Sequence, residues 1–243
     1  MASRPEAEKN AAAAPAAGVK RFYRTAEAKE GAILLDGRPA KTPKGRALTL
    51  PSPLLAAAVA TEWDEQGDRI DPRTMPLTGL ANAAIDRVSP DPASFAGSLA
   101  AYGEHDLLCY RAGEPAALAD RQAELWDPYL AWAMQTHGLV FEVSTGITPQ
   151  KQPQETLDGL ARLIAAREPF ALAGLSPLVT ISGSIALALA VAEGASDVRR
   201  AWAAASLDEA WQAENWGEDK EATAALEARR RDFEAAARFL ALL

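Results

Sequence analysis

Hydrophobic and polar residues alternate in the first fifty residues, in short runs that are typical of β-strands. These runs cover residues 19–23, 32–35 and 46–50. The Asp36-Gly37 pair is a two-residue hairpin signal, because both central positions of a type I′ turn need positive φ angles. The sequence TPKG at residues 42–45 predicts a second turn. The N-terminal region is therefore predicted to be a small antiparallel β-meander.

From residue 52 onwards, apolar positions recur every three or four residues, which predicts helices. Capping residues such as Ser52, Asp91 and Ser196 before the starts, and Gly or Pro after the ends, set their limits. The predicted helices span residues 53–66, 77–88, 92–102, 115–137, 154–167, 178–192, 198–216 and 219–243. We expect Asp127-Pro128 to interrupt the fourth helix, and Ser176-Pro177 to cap the start of the sixth. Strands that pair with each other are predicted at residues 106–111 and 139–143.

This pattern predicts an α+β protein. A small N-terminal antiparallel β domain, which also carries helices, precedes a mainly α-helical C-terminal domain. The expected divisions are a disordered tail at residues 1–18, a β-containing domain at 19–90 and a helical domain at 91–243. The tail lacks the continuous apolar segment of a secretory signal, and its Glu6 and Glu8 are atypical of a mitochondrial transit peptide.

Residues 169–192 contain no charged side chain, so a membrane span has to be considered. The Ser176-Pro177 signal divides this segment, and a helix over 178–192 would be about 22 Å long at about 1.5 Å per residue. The hydrocarbon core of a bilayer is about 30 Å thick. We therefore expect a buried central helix and no insertion into a membrane.

Charge is distributed unevenly along the chain. The net charge is −8, although the first fifty residues hold ten Lys/Arg and five Asp/Glu, so residues 51–243 carry −13. An acidic main body disfavours nucleic acid and anionic membranes as principal partners. The single cysteine, Cys109, lies in an apolar run, which is typical of a buried thiol in a reducing compartment. A bacterial cytoplasm is the expected location, and the mitochondrial matrix is the alternative.

The most distinctive stretch is 206–222, which has two tryptophans and six carboxylates in seventeen residues. On a continuous helix, Glu209 and Gln212 would lie in the middle of an otherwise apolar face that ends at Trp216. One interpretation makes the tryptophans core residues and the two polar side chains a buried pair. The other makes the stretch a recognition surface, because tryptophan is enriched at binding hot spots and nearby acids supply specificity.

Little in the sequence points to catalysis. His105 and His137 are far apart and there is one cysteine, so no metal site is predicted. The chain has no P-loop, dinucleotide-binding fingerprint or G-x-S-x-G motif, and no cofactor is expected. Adjacent carboxylates in the 206–222 stretch leave open a hydrolase or isomerase with a cleft between the domains. A further alternative is a small-molecule module that binds an anion at Lys44 or Arg46.

Three stretches of the chain resemble a known family. They are TEWDEQ and IDPRTMPLTGLANAAID within residues 61–86, HDLLCYRA at 105–112, and ASLDEAWQAENWGEDKEA at 205–222. In these stretches the chain is similar to the assembly chaperones that bind the α subunit of the ATP synthase catalytic head in mitochondria and α-proteobacteria. The third stretch is the most specific, since Asp-Glu, Gln and Trp-Gly-x-Asp occur in it at fixed spacing.

The resemblance implies a chaperone without enzymatic activity. Such a protein would mask the β-binding surface of an unassembled α subunit until β replaces it, and so prevent aggregation. Carried over by position, the partner-binding residues would be Glu209, Gln212, Glu214, Trp216 and Asp219. No catalytic residue, metal or cofactor is implied. We also expect the protein to be a monomer when it has no partner.

Overall fold

The structure, a computed structural model, describes residues 18–146, 150–217 and 219–243. An antiparallel three-stranded sheet in the order β1-β2-β3 precedes a mainly helical chain, which confirms the predicted α+β class. The strands are β1 (Ala26–Lys29), β2 (Ala32–Leu35) and β3 (Arg38–Pro39). The predicted tail lies outside the described residues except for Gly18. The predicted division at residue 90 stays a prediction.

Two tight turns connect the strands. Glu30 and Gly31 have φ angles of 52° and 82°, and Asp36 and Gly37 have 48° and 74°. Two consecutive positive φ angles are characteristic of a type I′ turn, whose twist matches that of the flanking strands. The hairpin turn predicted at Asp36-Gly37 is therefore confirmed. A Cβ at Gly31 would also lie 2.7 Å from the carbonyl oxygen of Leu50, so only glycine fits there.

Two of the predicted strands are wrong. Residues 19–23 form no strand, since Lys20 makes only an isolated bridge, and β1 follows instead. The sequence of β1, AEAK, is mostly exposed and contains no β-branched or aromatic residue, so its composition gives no strand signal. Residues 46–50 make isolated bridges rather than a regular strand, although Leu48 and Leu50 are buried as the alternation predicts.

Most helices begin and end close to the predicted residues. They are α1 (Pro53–Asp64), α2 (Pro76–Ala83), α3 (Pro92–Ala100), α4 (Ala116–His137), α5 (Gln154–Ala165), α6 (Pro169–Ser182), α7 (Ile185–Ala192), α8 (Val198–Ala205), α9 (Leu207–Trp216) and α10 (Lys220–Ala241). A π-helical turn, Ala84–Val88, extends α2. The predicted N-caps are confirmed at Ser52, which accepts a hydrogen bond from Leu54 N at 3.1 Å, and at Asp91. The cap of α8 is Asp197, one residue after the predicted Ser196.

Two prolines that were expected to break or start helices lie inside them. Pro128 lies within an unbroken α4, and Pro177 lies within α6. The chain breaks instead at Gly183, with a φ of 69°, and Ser184 caps α7 by accepting from Leu187 N at 3.0 Å. A proline removes one helical hydrogen bond, which burial of the surrounding side chains can offset. A left-handed glycine ends a helix outright, which is why the predicted helix over 178–192 is wrong.

The helix predicted over 198–216 is also wrong, because Ser206 divides it into α8 and α9. The φ and ψ angles of Ser206 are −110° and 19°, outside the helical region. Its Oγ donates a hydrogen bond to the carbonyl oxygen of Trp202 at 2.8 Å, a local bond that competes with helix continuation. The apolar face predicted to run from Trp202 past Glu209 to Trp216 is therefore interrupted.

The strands predicted at residues 106–111 and 139–143 are displaced. The paired strands are β4 (Tyr110–Arg111) and β5 (Ser144–Thr145), and they run parallel. The residues just before β4 form a 3₁₀ turn capped by the side chain of Asp106. This turn removes them from the predicted strand, because the cap offers the backbone an alternative to ladder hydrogen bonds.

Two apolar clusters form the core. One joins the sheet to α1 and α2, and the other lies among the later helices and contains Trp126 and Phe233. Phe239 of α10 belongs to the first cluster and Phe233 of the same helix to the second. The ring of Phe239 stacks on Phe170, which packs against both clusters, with centroids 6.3 Å apart. α10 thus joins the sheet side of the protein to the helical side. Within the described ranges, no helix combines the length and apolarity needed to cross a membrane.

Candidate functional site

The helix α9 lies at the surface. Leu207 at its start is buried, whereas Trp216 at its end is 78% exposed. The tryptophan that packs on the core is Trp202 of the preceding helix, whose ring lies 5.7 Å from that of Phe233. The interpretation of Trp216 as a core residue is therefore wrong. An exposed tryptophan this large is a common anchor for a binding partner.

A first groove separates α9 from the start of α4, and its volume is about 590 Å³. Trp211, Asn215 and Trp216 line it from α9. Pro115 and Leu118 line it from the opposite side. The groove has apolar walls and a volume in the range that accommodates several side chains of a ligand or partner.

A second groove lies between α9 and α10, and its volume is about 450 Å³. Ala222 and Leu226 contribute apolar surface from α10, and Arg229 lies beside them. Gln212 and Trp216 line this groove as well as the first. We call α9 together with its two flanking grooves the α9 ridge.

On the first side of the α9 ridge, Glu214 forms an ion pair with Arg121 of α4. The two guanidinium nitrogens lie 2.7 Å and 3.1 Å from the two carboxylate oxygens. The Arg121 guanidinium lowers the pKa of Glu214 below its ordinary value, and the carboxylate in turn raises the pKa of Arg121. Both side chains of the pair are partly exposed, so the pair contributes little to the stability of the fold.

On the second side, Glu209 forms an ion pair with Arg229 of α10. Nη1 of Arg229 lies 2.9 Å from Oε1 of Glu209, and Nη2 donates to the carbonyl oxygen of Ile181 at 3.1 Å. Arg229 therefore connects α9 and the end of α6. One ion pair joins α9 to α4 and the other joins it to α10, so the two acids lie on opposite sides of α9.

Asp219 precedes α10 and caps the start of that helix. Its Oδ1 accepts a hydrogen bond from Ala222 N at 2.8 Å, which makes it the N-cap of that helix. Thr223 adds a second contact by donating to the carbonyl oxygen of Asp219 at 2.8 Å. The carboxylate is nevertheless exposed and lines the second groove, so it can also meet a partner.

The structure brings the five predicted partner-binding residues to one ridge, although not onto one helical face. Their role in binding stays a prediction. The residues that sequence reasoning left out are the groove walls Trp211, Pro115, Leu118 and Leu226. Trp211 lies in the distinctive stretch and could have been included. The others are ordinary apolar residues of distant helices, and only the tertiary structure places them beside α9.

The adjacent carboxylates do not converge on a common point. Oδ1 of Asp208 accepts from Nε2 of Gln122 at 2.9 Å, while Glu209 contacts Arg229. Each acid is therefore held by a different element, without the shared geometry of paired catalytic carboxylates. Among the described residues, no group of three or more His, Cys, Asp or Glu side chains is arranged to hold a metal ion. Burial raises the pKa of the Cys109 thiol to about 12, as expected for an unreactive cysteine.

The basic turn near the N-terminus is bound to the end of the α2 segment. Nζ of Lys44 donates to the carbonyl oxygen of Asp86 at 3.0 Å, and Nη1 of Arg46 donates to that of Ile85 at 2.6 Å. Thr42 also donates to Oδ1 of Asp86 at 2.8 Å. These cations satisfy carbonyl groups at a helix end, which accounts for them without an anion ligand.

The comparisons with known proteins agree with this architecture. Residues 20–134 match the family described as ATP12 chaperone protein. The crystal structure of Atp12 from Paracoccus denitrificans is 41% identical, covers 92% of this chain and 98% of its own, and has a TM-score of 0.87. The mitochondrial protein atp12 of Schizosaccharomyces pombe is 25% identical over 219 residues, which are 84% of this chain and 75% of that protein. The resemblance is thus confirmed, and the chain belongs to the ATP12 family of chaperones for ATP synthase assembly.

Proposed function

We propose that this chain binds the unassembled α subunit of the ATP synthase catalytic head and masks the surface that α later presents to β. The observation that carries the proposal is the 78% exposure of Trp216 on a ridge between two apolar-walled grooves. Burying a tryptophan removes a large apolar area from water, which is why this residue dominates many interfaces.

The flanking polar groups provide direction. Glu209 and Glu214 stand on opposite sides of the ridge, and Gln212 lines both grooves. Both ion pairs are partly exposed, so a cation of the client can share or replace an arginine at low cost. Correct placement of charge around an apolar centre favours one partner over others. In this proposal, Glu209, Gln212, Glu214, Trp216 and Asp219 together form the client-binding surface.

The chaperone acts passively in this proposal. It is not an enzyme and uses no cofactor, because masking a surface needs only reversible binding. Release follows from competition, as β occupies the same surface of α. The affinity for α is then expected to be on the order of micromolar to nanomolar, since tighter binding would delay exchange. The protein works as a monomer, in a bacterial cytoplasm or in the mitochondrial matrix.

The test is co-elution of purified α subunit with this chain on a size-exclusion column. We expect a complex of one copy of each in the absence of β, and its loss when β is added. Solubility of α on co-expression provides a second readout. If α elutes alone, or if the complex persists with excess β, the proposal fails.

A further inference from the structure

A groove on the N-terminal side lies far in sequence from the α9 ridge and shares no residue with it. Its volume is about 610 Å³. Its walls are aromatic and apolar and its rim is charged. The lining includes Phe22, Tyr23, Arg38, Lys41 and Trp63. We call it the aromatic groove. Nothing in the proposed binding of the α subunit at the α9 ridge accounts for it.

The aromatic side chains are held in fixed positions. The ring of Phe22 packs edge-on against Tyr23 with centroids 5.3 Å apart, and Tyr23 packs against Trp63 at 5.7 Å. The hydroxyl of Tyr23 donates to the carbonyl oxygen of Trp63 at 2.6 Å. Despite these contacts, Phe22 is 68% exposed. Phe22 therefore presents a large apolar surface that a ligand can bury beside Tyr23.

The rim of the aromatic groove is positively charged. Arg38 and Lys41 form no ion pair and no side-chain hydrogen bond with any residue that the structure describes. Among the described residues that line the groove, the one acid is Asp36, and it is already engaged. Its Oδ1 accepts hydrogen bonds from the backbone N–H groups of Arg24 and Thr25, both at 2.9 Å. These bonds lower the pKa of Asp36. A complementary ligand is therefore anionic.

The shape and charge of the groove select among anionic ligands. A chain of net charge −8 repels nucleic acid over most of its surface. A small anion would leave the aromatic walls exposed to water. An extended peptide satisfies both features, because its alternate side chains point to opposite sides, one set to the aromatic wall and one to the basic rim.

We propose that the aromatic groove is a second docking site, which binds an extended acidic segment of a partner protein with apolar residues between its acids. Phe22 and Trp63 contact the apolar side chains, and Arg38 and Lys41 contact the carboxylates. This inference does not depend on the identity of the client at the α9 ridge.

The test uses fluorescence anisotropy with a labelled peptide of about ten residues, in which Glu alternates with Phe, Leu or Pro, so that it is about 33 Å long when extended. We expect the full chain to bind this peptide, and binding to weaken as salt is added. Two control peptides, in which Gln or Lys replaces every Glu, should bind at least about tenfold more weakly than the Glu peptide. Phe22→Ser, and the double variant Arg38→Glu with Lys41→Glu, should each weaken binding about tenfold.

Two matched controls separate the groove from the general surface. Leu54→Ser removes an exposed apolar residue of α1 outside the groove. Arg199→Glu with Arg231→Glu changes the net charge as much as the rim double variant does, at exposed positions outside the groove. Both should bind within about twofold of the parent chain.

Three outcomes would overturn the inference. The first is no binding of the Glu peptide, and the second is equal binding of the Lys peptide. The third is binding that occurs only after residues 1–17 are deleted, which would assign the groove to the chain's own N-terminal segment. A weakened peptide affinity with an unchanged α-subunit complex would support this site while leaving the α9 ridge to be judged separately.

Discussion

Glu62 and Asp106 lie in two of the stretches that carry the family resemblance, and both are buried. Glu209 and Glu214 lie in the third stretch and are substantially exposed on α9. The buried acids accept hydrogen bonds from backbone N–H groups at helix starts, whereas the exposed acids form ion pairs with arginines. Glu62, for example, accepts from Leu77 N at 2.8 Å. Acids in equally distinctive motifs therefore have different physical roles in this chain.

Asp106 shows what the buried class does. Its Oδ2 accepts from Ser184 Oγ at 3.0 Å and from Ala186 N at 3.1 Å, and its Oδ1 accepts from Leu108 N at 3.0 Å. One carboxylate thus caps α7 and fixes the turn before β4. Burial raises the pKa of Asp106, while the donated bonds oppose that rise. Its role is to join segments distant in sequence, which the exposed acids of α9 do only weakly.

The largest expected effect on stability is at Asp106. Asp106→Ala leaves several buried donors without an acceptor, so we expect the free energy of unfolding to fall by about 3 kcal/mol or more. Glu209→Ala is the matched control on the exposed side and should cost less than about 1 kcal/mol. Urea denaturation monitored by circular dichroism measures both. Similar losses for the two variants would show that burial does not separate the two classes of acid.

The second-largest expected effect is a loss of affinity for the α subunit with little change in the stability of the fold. Trp216→Ala should weaken binding of the α subunit about 30-fold or more, as expected for an interface hot spot of about 2 kcal/mol. The free energy of unfolding should change by less than about 0.5 kcal/mol, because the side chain is exposed. Titration calorimetry and urea denaturation of one preparation measure both quantities.

Leu54→Ala provides the control for Trp216, since Leu54 is also a large exposed apolar residue but lies on α1. It should leave α-subunit affinity unchanged. If the two variants bind α equally well, the α9 ridge is not the client surface. If Trp216→Ala instead unfolds at a much lower urea concentration, the side chain supports the fold. Trp216 would then be a structural residue, as Asp106 is.

Local signals in the sequence were sufficient for several features of the fold. The turn at Asp36-Gly37 and the caps at Ser52 and Asp91 depend on one or two residues whose preferred conformations are known. The breaks at Gly183 and Ser206 were not predicted, because stronger proline signals competed with the first and a helical pattern continued through the second. Backbone conformation there depends on the whole packed core.

The candidate site, like the fold, could be predicted only in part from the sequence. The cluster of Trp and acids at residues 206–222 identified the segment, and the resemblance to the family selected five residues within it. The sequence could not show that Arg121 and Arg229 pair with its acids, or that Leu118 faces α9. These contacts join residues far apart in the chain, and no periodicity along one segment encodes them.

A smaller effect separates two roles of Asp219. Asp219→Ala removes the N-cap of α10 and should lower the free energy of unfolding by about 1 kcal/mol, whereas Asp219→Asn keeps a capping oxygen and should change it little. If the carboxylate also contacts the client, both variants weaken α-subunit binding. If only Asp219→Ala does so, the residue acts through the start of α10 and belongs with the buried, structural acids.

The smallest effect is the pH dependence of the ion pair between Glu214 and Arg121. The folded protein lowers the pKa of Glu214 from 4.5, its ordinary value, so the pair stabilises the fold above that pH and is lost as pH falls through the lowered pKa. Glu214→Gln should therefore melt slightly below the parent protein near neutral pH. The difference in melting temperature should close as the solution becomes more acidic than the ordinary pKa. In an Arg121→Gln background, Glu214→Gln should have no pH-dependent effect of this kind. A difference that is equally large in strong acid would show that Glu214 stabilises α9 by packing rather than by charge, which would move it towards the structural class of Glu62 and Asp106.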